Sequence, residues 1–311
     1  MHPALSILLF TTLAGAGQGL VVALAWATLA GVPIDAPFAR HSLLLAECLL
    51  TGGLLASFFH LGHKERAWRA VLMWRTSWMS REVIILPVAI GINALWLLAL
   101  LWPAGATGHQ VLPLLALLAS VALWYCTAMI YACLRFVQEW AHHLTVANFM
   151  LIGLSSGSVL ACAMAAAYDQ QALLQRLAPL ALACTLLAWA SRAASLRRNA
   201  LLRPRSTLQS ATGIRHGKVV QKSMGMSAGS FNTREFFHHA STLMLRNMRW
   251  TFQLALFALP VLLMLGTMGK PGATAWWWLA VVLQAPGLLA ERWTFFAQAR
   301  HPQNLYYQTV S

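Results

Sequence analysis

The chain has 311 residues, of which 59% are hydrophobic and only 10% are charged, and its mean hydropathy is +0.62. A soluble domain has about 25% charged residues. This composition excludes a water-soluble globule, because so few charges cannot cover that much apolar side chain. The charge is one-sided, with 22 Lys and Arg against 8 Asp and Glu and a net charge of +14. Such an excess is typical of proteins that bind nucleic acid or an anionic membrane surface, and the positions of the basic residues decide between the two.

Apolar runs long enough to cross a bilayer recur along the whole chain. A crossing helix needs about 20 mostly uncharged residues. Eight segments match or approach that length, namely 5–31, 43–61, 83–103, 111–134, 147–168, 177–194, 250–268 and 274–295. The first is interpreted as a retained helix, because no basic segment precedes it and no cleavage site is evident. The sequence therefore predicts an all-α fold, a polytopic membrane helix bundle with eight transmembrane helices.

The basic residues lie mostly in the connections on one side of the predicted membrane. Of the 22 Lys and Arg residues, all but Arg40, Arg176 and Lys270 fall on that side. The positive-inside rule then places both termini and the two basic loops in the cytoplasm. The positive charge therefore indicates topology, and after that a docking face, rather than a nucleic-acid site.

The pattern divides the chain into three regions. Residues 1–191 hold the first six helices and, near 66–78, a segment whose Trp and Arg spacing predicts an interfacial helix. Residues 192–249 are expected to form a basic cytoplasmic loop with an amphipathic helix near 233–249. Residues 250–311 hold the last two helices and a cytoplasmic tail.

Two small-residue motifs and five cysteines lie inside the predicted helices. Gly15 and Gly19, and likewise Gly153 and Gly157, form Gly-x-x-x-Gly pairs that predict close helix packing. The cysteines stand singly and are Cys48, Cys126, Cys133, Cys162 and Cys184. Iron–sulfur ligation needs closely spaced cysteines. We therefore expect no cluster and no metal site in this chain, and any such electron carrier has to reside in another subunit.

Polar side chains at membrane depth carry most of the functional information, because burying them is costly and they tend to line functional cavities. On the fourth helix the spacing predicts a polar stripe that consists of Thr127, Tyr131, Arg135, Glu139 and His142. At the same cytoplasmic level lie Ser57, His60, Lys64, Ser80, Arg81 and Glu82. A histidine beside a carboxylate and a phenol can bind a quinone carbonyl and exchange protons with it. The stripe and its neighbours therefore suggest a quinone pocket.

Simpler interpretations of the same residues stay open. Glu82 in the first turn of a helix is favoured by the helix dipole alone, and Arg135 with Glu139 can be an interfacial ion pair. Haem b is a further alternative, in which His60 and either His142 or His143 would be the axial ligands, although these histidines all lie near helix ends.

Two further acids, Glu47 and Glu291, lie inside predicted helices. Together they can belong to a proton path, or each can be a protonated carboxyl bonded to a neighbouring helix. A function of a different class is secondary transport of a sulfur oxyanion. The paired helix breaks and inverted repeats that such a transporter would show are not evident in the sequence.

Several segments resemble the membrane-anchor subunits of dimethyl sulfoxide reductase-type complexes, the DmsC family within the wider NrfD-like group. The most specific is the run His60–Trp68, with the sequence HLGHKERAW, followed by WRTSW at 74–78 and SRE at 80–82. MIYA, LRF and EW on the fourth helix, and AERW near the C-terminus, are further matches. The eight-helix count agrees as well, so the resemblance covers nearly the whole chain.

The resemblance implies a complex of three subunits. A molybdopterin catalytic subunit and a four-cluster iron–sulfur subunit would join this quinone-reactive anchor, which itself carries no haem or iron–sulfur cluster. The family's functional positions correspond to His60, Gly62, Arg66 and Glu82, and related polysulfide-reductase-type anchors add Tyr131. The candidate quinone-binding set is therefore His60, Gly62, Arg66, Trp68, Ser80, Arg81, Glu82, Tyr131, Arg135 and Glu139.

Within the family, the basic loop 192–249 and the tail 300–307 resemble the anchors of cytoplasmic sulfite-oxidising complexes, the SoeC type. This resemblance implies electron flow from sulfite to ubiquinone or menaquinone, with the partner subunits docked on loops 62–82 and 192–249. The alternative is the anchor of a sulfoxide, tetrathionate or polysulfide reductase, which takes electrons from quinol.

Overall fold

The computed structural model describes residues 2–59, 61–101, 110–223, 238, 240–270 and 272–306. Throughout these residues the regular structure is helical. The α-helices are α1 (Leu5–Leu29), α2 (Ala36–Phe58), α3 (Trp78–Ala99), α4 (Val111–Ala132), α5 (His143–Ala167), α6 (Gln171–Ala200), α7 (Leu208–Thr212), α8 (Thr242–Thr267) and α9 (Thr274–Ala297). Short 3₁₀ helices cover Lys64–Val71 and Pro302–Tyr306.

Several helix ends lie where local side-chain chemistry favours them. The Ser77 hydroxyl accepts a hydrogen bond from the Ser80 N–H and so caps the start of α3. Nδ1 of His142 accepts from the Leu144 N–H in the same way at the start of α5. Gly31, with a φ of +65°, occupies the left-handed region in the short turn between α1 and α2, where a residue without Cβ is favoured.

The two central helices of the bundle are α1 and α5. Of the most apolar stretch of α5, 83% is buried inside the protein, against 67% for α1. They cross at the predicted glycine motifs, where a Cβ built on Gly19 would lie 2.0 Å from the Gly153 carbonyl oxygen. A Cβ on Gly157 would lie 2.1 Å from the Gly19 carbonyl carbon. The prediction of close glycine packing is therefore confirmed.

The helix α8 contains an irregularity that periodicity did not indicate. Its first and last parts, Thr242–Phe252 and Leu259–Thr267, are α-helical, whereas Gln253–Ala258 is a π-helix. A π turn disturbs the regular hydrogen-bond ladder, and the buried Gln284 of α9 donates to the Leu256 carbonyl inside it, at 3.3 Å. The glutamine thus stabilises the π segment from the neighbouring helix.

Seven helices in the described part of the chain are long and apolar enough to cross a membrane, namely α1 to α6 and α8. The eighth predicted crossing corresponds to α9, which is 24 residues long. It contains three adjacent tryptophans at 276–278 and the polar residues Gln284, Glu291 and Arg292, and it is not among those seven. By length and composition alone, seven of the eight predicted crossings are therefore identified in the described part of the chain.

Two predicted segments look different in the structure. Near 66–78, where an interfacial α-helix was predicted, the chain forms the 3₁₀ helix Lys64–Val71 and then turns up to residue 76, and these residues are mostly exposed. In the basic loop, α6 continues to Ala200, beyond the predicted loop start at residue 192. The described part of α8 begins at Thr242, and residues 233–237 of the predicted amphipathic helix lie outside the described residues.

Candidate functional site

Most polar residues that the sequence singled out lie at one end of the bundle. At this end α2, α4, α6 and α9 finish, while α3, α5 and α8 begin. Its connections are the basic segments around 59–77 and 201–241 and the segment 133–142, in which Arg135 is balanced by Glu139, and we call it the basic end. The opposite end is joined by contacts such as the hydrogen bond from the Gln170 side chain to Asp35.

At the basic end Glu82 and Thr127 form a buried pair. Glu82 is the fifth residue of α3 and is 8% exposed, whereas Thr127 lies one turn before the end of α4 and is 6% exposed. Because the two helices are antiparallel neighbours, these positions meet at the same level, and the Thr127 hydroxyl donates to Oε1 of Glu82. The pair holds one carboxyl oxygen and leaves the other for a further partner.

One turn after Thr127, the ring of Tyr131 is surrounded by four aromatic rings. Its ring centroid lies 5.2 Å from Trp140, 5.6 Å from Phe149, 5.5 Å from Phe295 and 5.3 Å from Phe296. The Phe149 ring is stacked on Tyr131, whereas the other three approach edge-on. Both are arrangements that pairs of aromatic rings prefer. The sequence identified Tyr131 but gave no sign of this aromatic box.

The predicted polar stripe on α4 is wrong beyond Tyr131, because α4 ends at Ala132. The next ten residues turn back under the bundle, where Val137 and Trp140 are buried. The indole N–H of Trp140 donates to the Phe295 carbonyl at 3.1 Å and fixes that turn to the end of α9. Burial of these apolar side chains outweighs the continuation of the helix that the spacing predicted.

The turn carries the rest of the predicted stripe to the surface. Arg135 is exposed, and a Glu139 carboxylate oxygen accepts from the Arg300 backbone N–H at 3.4 Å. His142 caps α5, and burial lowers the pKa of its imidazole below the ordinary value, with Arg198 and His143 acting in the same direction. A neutral ring is what its cap requires, since Nδ1 is the acceptor there.

A second buried charge cluster joins α6 and α9. Nε of Arg192 lies 2.7 Å from one carboxylate oxygen of Glu291, and Nε of Arg292 lies 2.9 Å from the other. Arg192 and Glu291 are 0% exposed and Arg292 is 3% exposed. The three formal charges sum to +1, so Glu291 is shared between two cations. From the sequence, Arg192 was assigned to the basic loop. The only sequence feature that could have indicated its burial is its place within a continuous helical pattern.

The two clusters approach each other through Phe149. The Arg292 guanidinium lies 4.0 Å from the centroid of the Phe149 ring, whose other stacking partner is Tyr131. A cation over an aromatic face is attracted by the ring quadrupole, most strongly where water is excluded. The aromatic box therefore connects the arginine of α9 with the phenol of α4.

Other candidate residues do not join this arrangement in the structure. His60 lies outside the described residues. Gly62, Arg66 and Trp68 are exposed on the connection after α2, and Trp68 is 62% exposed. Arg81 donates to the carbonyls of Trp74 and Arg75, at 2.9 and 2.8 Å, and so holds the turn before α3.

Ser80 and Glu47 complete the set of predicted residues. Ser80 is buried at the start of α3, two residues before Glu82. Glu47 lies in the middle of α2 and accepts a hydrogen bond of 2.6 Å from the buried side-chain amide of Asn93 on α3. Glu47 and Glu291 thus both contact a polar side chain of a neighbouring helix.

In the described part of the chain, no group of three or more His, Cys, Asp and Glu side chains could hold a metal ion. The five cysteines are free thiols.

Comparison with known proteins gives the family. The profile of the family described as DMSO reductase anchor subunit (DmsC) matches residues 1–270. The chain is also similar to a protein of Allochromatium vinosum that is named as a sulfite dehydrogenase subunit, with 47% identity over an alignment of 327 positions that covers 100% of both chains. That relative is thus named as part of an oxidoreductase. Both findings agree with the resemblance in the HLGHKERAW segment, and this chain belongs to the DMSO reductase anchor subunit family.

Proposed function

We propose that this chain is the quinone-reactive anchor of a three-subunit molybdopterin oxidoreductase in the inner membrane of a bacterium. It would pass electrons between an iron–sulfur subunit and the quinone pool. The anchoring role is supported by family membership and by the outer surface of the bundle. More than half of the surface of large apolar side chains such as Leu95, Leu118 and Leu262 is exposed there. Exposed apolar side chains of this kind are suited to contact with lipid.

The proposed topology has eight crossings with both termini in the cytoplasm. The 24 residues of α9 correspond to about 36 Å of helix, enough for about 30 Å of hydrocarbon. Its polar residues Gln284, Glu291 and Arg292 are buried inside the bundle and do not face lipid. The positive-inside rule supports a cytoplasmic position for the basic end.

The observation that carries the quinone proposal is the pair of Glu82 and Thr127 beside Tyr131 at the basic end. A quinone headgroup needs hydrogen-bond donors at its oxygens, a proton-exchanging group and an apolar surface for its ring. The Glu82 carboxyl fits the second need, the Tyr131 phenol fits the first, and the aromatic box fits the third. The residues present therefore fit the group.

In this proposal each residue has a defined task. Thr127 fixes one Glu82 oxygen and thereby orients the other toward the quinone, so that the carboxyl can give or take a proton as electrons arrive. The rings around Tyr131 limit the phenol to one orientation. His60 belongs to the same proposal as a second ligand, because in the sequence it comes two residues after the last residue of α2.

The exposed connections are proposed to dock the partner subunits. Gly62, Arg66 and Trp68 lie on the surface of loop 62–82, and this loop and loop 192–249 are strongly basic. Such a face is complementary to an acidic surface on an iron–sulfur subunit. Docking of that partner would shield loop 62–82 from water and hold it close to the quinone site.

For the substrate of the complex we propose sulfite, with electrons flowing toward quinone. The support is the full-length similarity to a protein named as a subunit of sulfite dehydrogenase. The family description, an anchor of DMSO reductase, supports the second candidate, in which quinol reduces a sulfoxide, tetrathionate or polysulfide in the catalytic subunit. The two candidates share the same site and differ in the direction of electron flow.

The test is Glu82→Gln in the purified complex. The amide keeps the shape and the bond to Thr127 but cannot exchange a proton. Loss of general acid–base chemistry typically costs about a hundredfold or more in rate, and we expect that loss in quinone-linked turnover. Activity of the catalytic subunits with a soluble dye should stay unchanged, because the dye bypasses the anchor.

A matched control is Asp35→Asn, which makes the same chemical change at the opposite end of the bundle. Asp35 is bonded to the side chain of Gln170 there and takes no part in the proposed site. We expect quinone-linked turnover of this variant to equal that of the unmodified complex. Full quinone activity in Glu82→Gln, or an equal loss in both variants, would reject Glu82 as a site residue.

A further inference from the structure

A small cavity lies inside the bundle between the two buried polar clusters. Its volume is about 20 Å³, and α1, α4, α5 and α9 form its wall. The wall includes Thr127, whose hydroxyl donates to Glu82, and Arg292, which is paired with Glu291. The cavity therefore separates the carboxyl of α3 from the charge cluster of α6 and α9.

Three polar atoms of wall residues have no hydrogen-bond partner among the described residues. They are Oε1 of Gln18, Nε1 of Trp124 and Nη1 of Arg292. The three residues are 2%, 4% and 3% exposed, so bulk water does not reach them. A buried polar group without a partner costs about 1–3 kcal/mol. Three such groups in one wall therefore indicate that they share a ligand.

The other polar side chains of the wall are already bonded. The hydroxyls of Thr11, Thr12 and Ser156 donate to backbone carbonyls of the preceding turn, at 2.8, 2.8 and 3.1 Å. The hydrogen of the Thr127 hydroxyl is engaged with Glu82, but its oxygen keeps acceptor capacity. The unpaired atoms in the wall are thus two donors, on Trp124 and Arg292, and one acceptor, on Gln18, and the wall's hydroxyl oxygens add acceptor capacity.

This set has the size and the chemistry of one water molecule. A water needs a cavity of at least about 10–15 Å³ and two to four polar partners. It can accept from the Trp124 N–H and the Arg292 N–H while it donates to Gln18 and to the Thr127 oxygen. All four of its hydrogen-bonding directions are then used, and each of the three unpaired wall atoms gains a partner.

We propose that this cavity is a binding site for a single water molecule held by Gln18, Trp124, Arg292 and Thr127. The water connects the Arg292–Glu291 pair with the Thr127–Glu82 pair, so that a hydrogen-bonded chain runs from α9 to α3 through the centre of the bundle. The inference concerns this chain's own interior and does not depend on quinone binding at the basic end.

The competing occupant is a halide ion. The excess positive charge of Arg192 and Arg292 over Glu291 would favour an anion. A halide is larger than a water, and it accepts hydrogen bonds but does not donate them. The Gln18 amide would therefore have to rotate and present its N–H in place of its oxygen. Cavity size and the two acceptors therefore favour water.

The experiment is a cryo-electron microscopy map of the whole complex at a resolution that shows ordered waters. It is recorded once in chloride buffer and once with all halide replaced by sulfate. We expect one density peak within hydrogen-bond distance of the three unpaired atoms, unchanged between the two buffers. A peak that disappears without halide, or no peak in either map, contradicts the proposal.

Variants test the partners. Gln18→Met combined with Trp124→Phe removes one acceptor and one donor, and the peak should disappear while α1, α4 and α5 keep their positions. The control is Ser158→Ala on α5, whose hydroxyl is bonded to the Ser155 carbonyl and which is not in the wall; the peak should stay. Persistence of the peak in the double variant counts against the proposed partners.

If the double variant does not assemble, infrared spectroscopy of the unmodified complex still decides. A buried water gives a sharp O–H stretching band that shifts when the sample is equilibrated with heavy-oxygen water. We expect such a band in the unmodified complex and in Ser158→Ala. Its absence from both would overturn the proposal.

Discussion

The crossing of α1 and α5 has no room for a side chain at Gly19, so Gly19→Ala is expected to destabilise the bundle. The new Cβ would lie 2.0 Å from the Gly153 carbonyl oxygen and 2.9 Å from the Gly157 Cα, whereas ordinary contacts begin at 3.4 Å. The helices must therefore separate by about 1.4 Å at this point, because the atoms in contact are backbone atoms that cannot move aside. Overpacking of this kind costs typically about 1–3 kcal/mol in the free energy of unfolding.

The matched control is Gly15→Ala in the same motif, one turn earlier. Its Cβ would meet only the Gly153 Cα, at 3.9 Å, which is ordinary contact. Ala in place of Gly also favours the helix by up to about 1 kcal/mol, so this variant should be neutral or slightly more stable. The same propensity gain is present in Gly19→Ala and offsets part of the clash, which leaves a net loss of up to about 2 kcal/mol.

The measurement is equilibrium unfolding in mixed micelles with increasing SDS, followed by tryptophan fluorescence. The difference between the two variants is the relevant quantity, because the micelle contributes equally to both. Gly19→Ala should unfold at lower SDS than the unmodified chain, and Gly15→Ala at the same or a higher concentration. Equal stability of the two variants would refute the argument that helix contact at Gly19 decides this crossing.

Two further predictions concern buried charge and a surface turn. Glu291→Gln should destabilise the bundle by about 3–5 kcal/mol, since it leaves two buried arginines without an anion. Arg192→Met should cost less because a neutral Glu291–Arg292 pair remains; the same SDS titration checks both, and the reverse order contradicts the charge assignment. Arg81→Ala should speed chymotrypsin cleavage at Trp74 about thirtyfold, since it removes two N–H bonds to carbonyls and each contributes about 1 kcal/mol. Arg75→Ala, which keeps both bonds, should be cut at the unmodified rate, and equal rates for the two variants would show that Arg81 does not hold the turn.

The sequence predicted the helices and the main helix crossing well, for a physical reason. A bilayer leaves few choices to an apolar run of 20 or more residues, because every backbone group must be bonded inside the segment. The glycine motifs in α1 and α5 were readable for a similar reason, since only residues without side chains permit backbone contact. These properties are local, so they are visible in one chain.

The candidate site was only partly predictable, because its key features depend on contacts between distant segments. Glu82 and Tyr131 were found as polar residues at membrane depth, and the structure places both at the basic end. The end of α4 at Ala132 was missed, because burial of Val137 and Trp140 against α9 decides it. The burial of Arg192 was missed as well, since its partner Glu291 lies 99 residues further along the chain.

The most direct test of the central claim is photolabelling of the purified complex with a photoreactive quinone analogue. Peptide mapping should find the label on α3 near Glu82 and on α4 near Tyr131, and excess natural quinone should suppress it. Glu82→Gln should weaken the labelling in parallel with its turnover. Label that appears only on a partner subunit, or only at the opposite end around Asp35, would contradict the account.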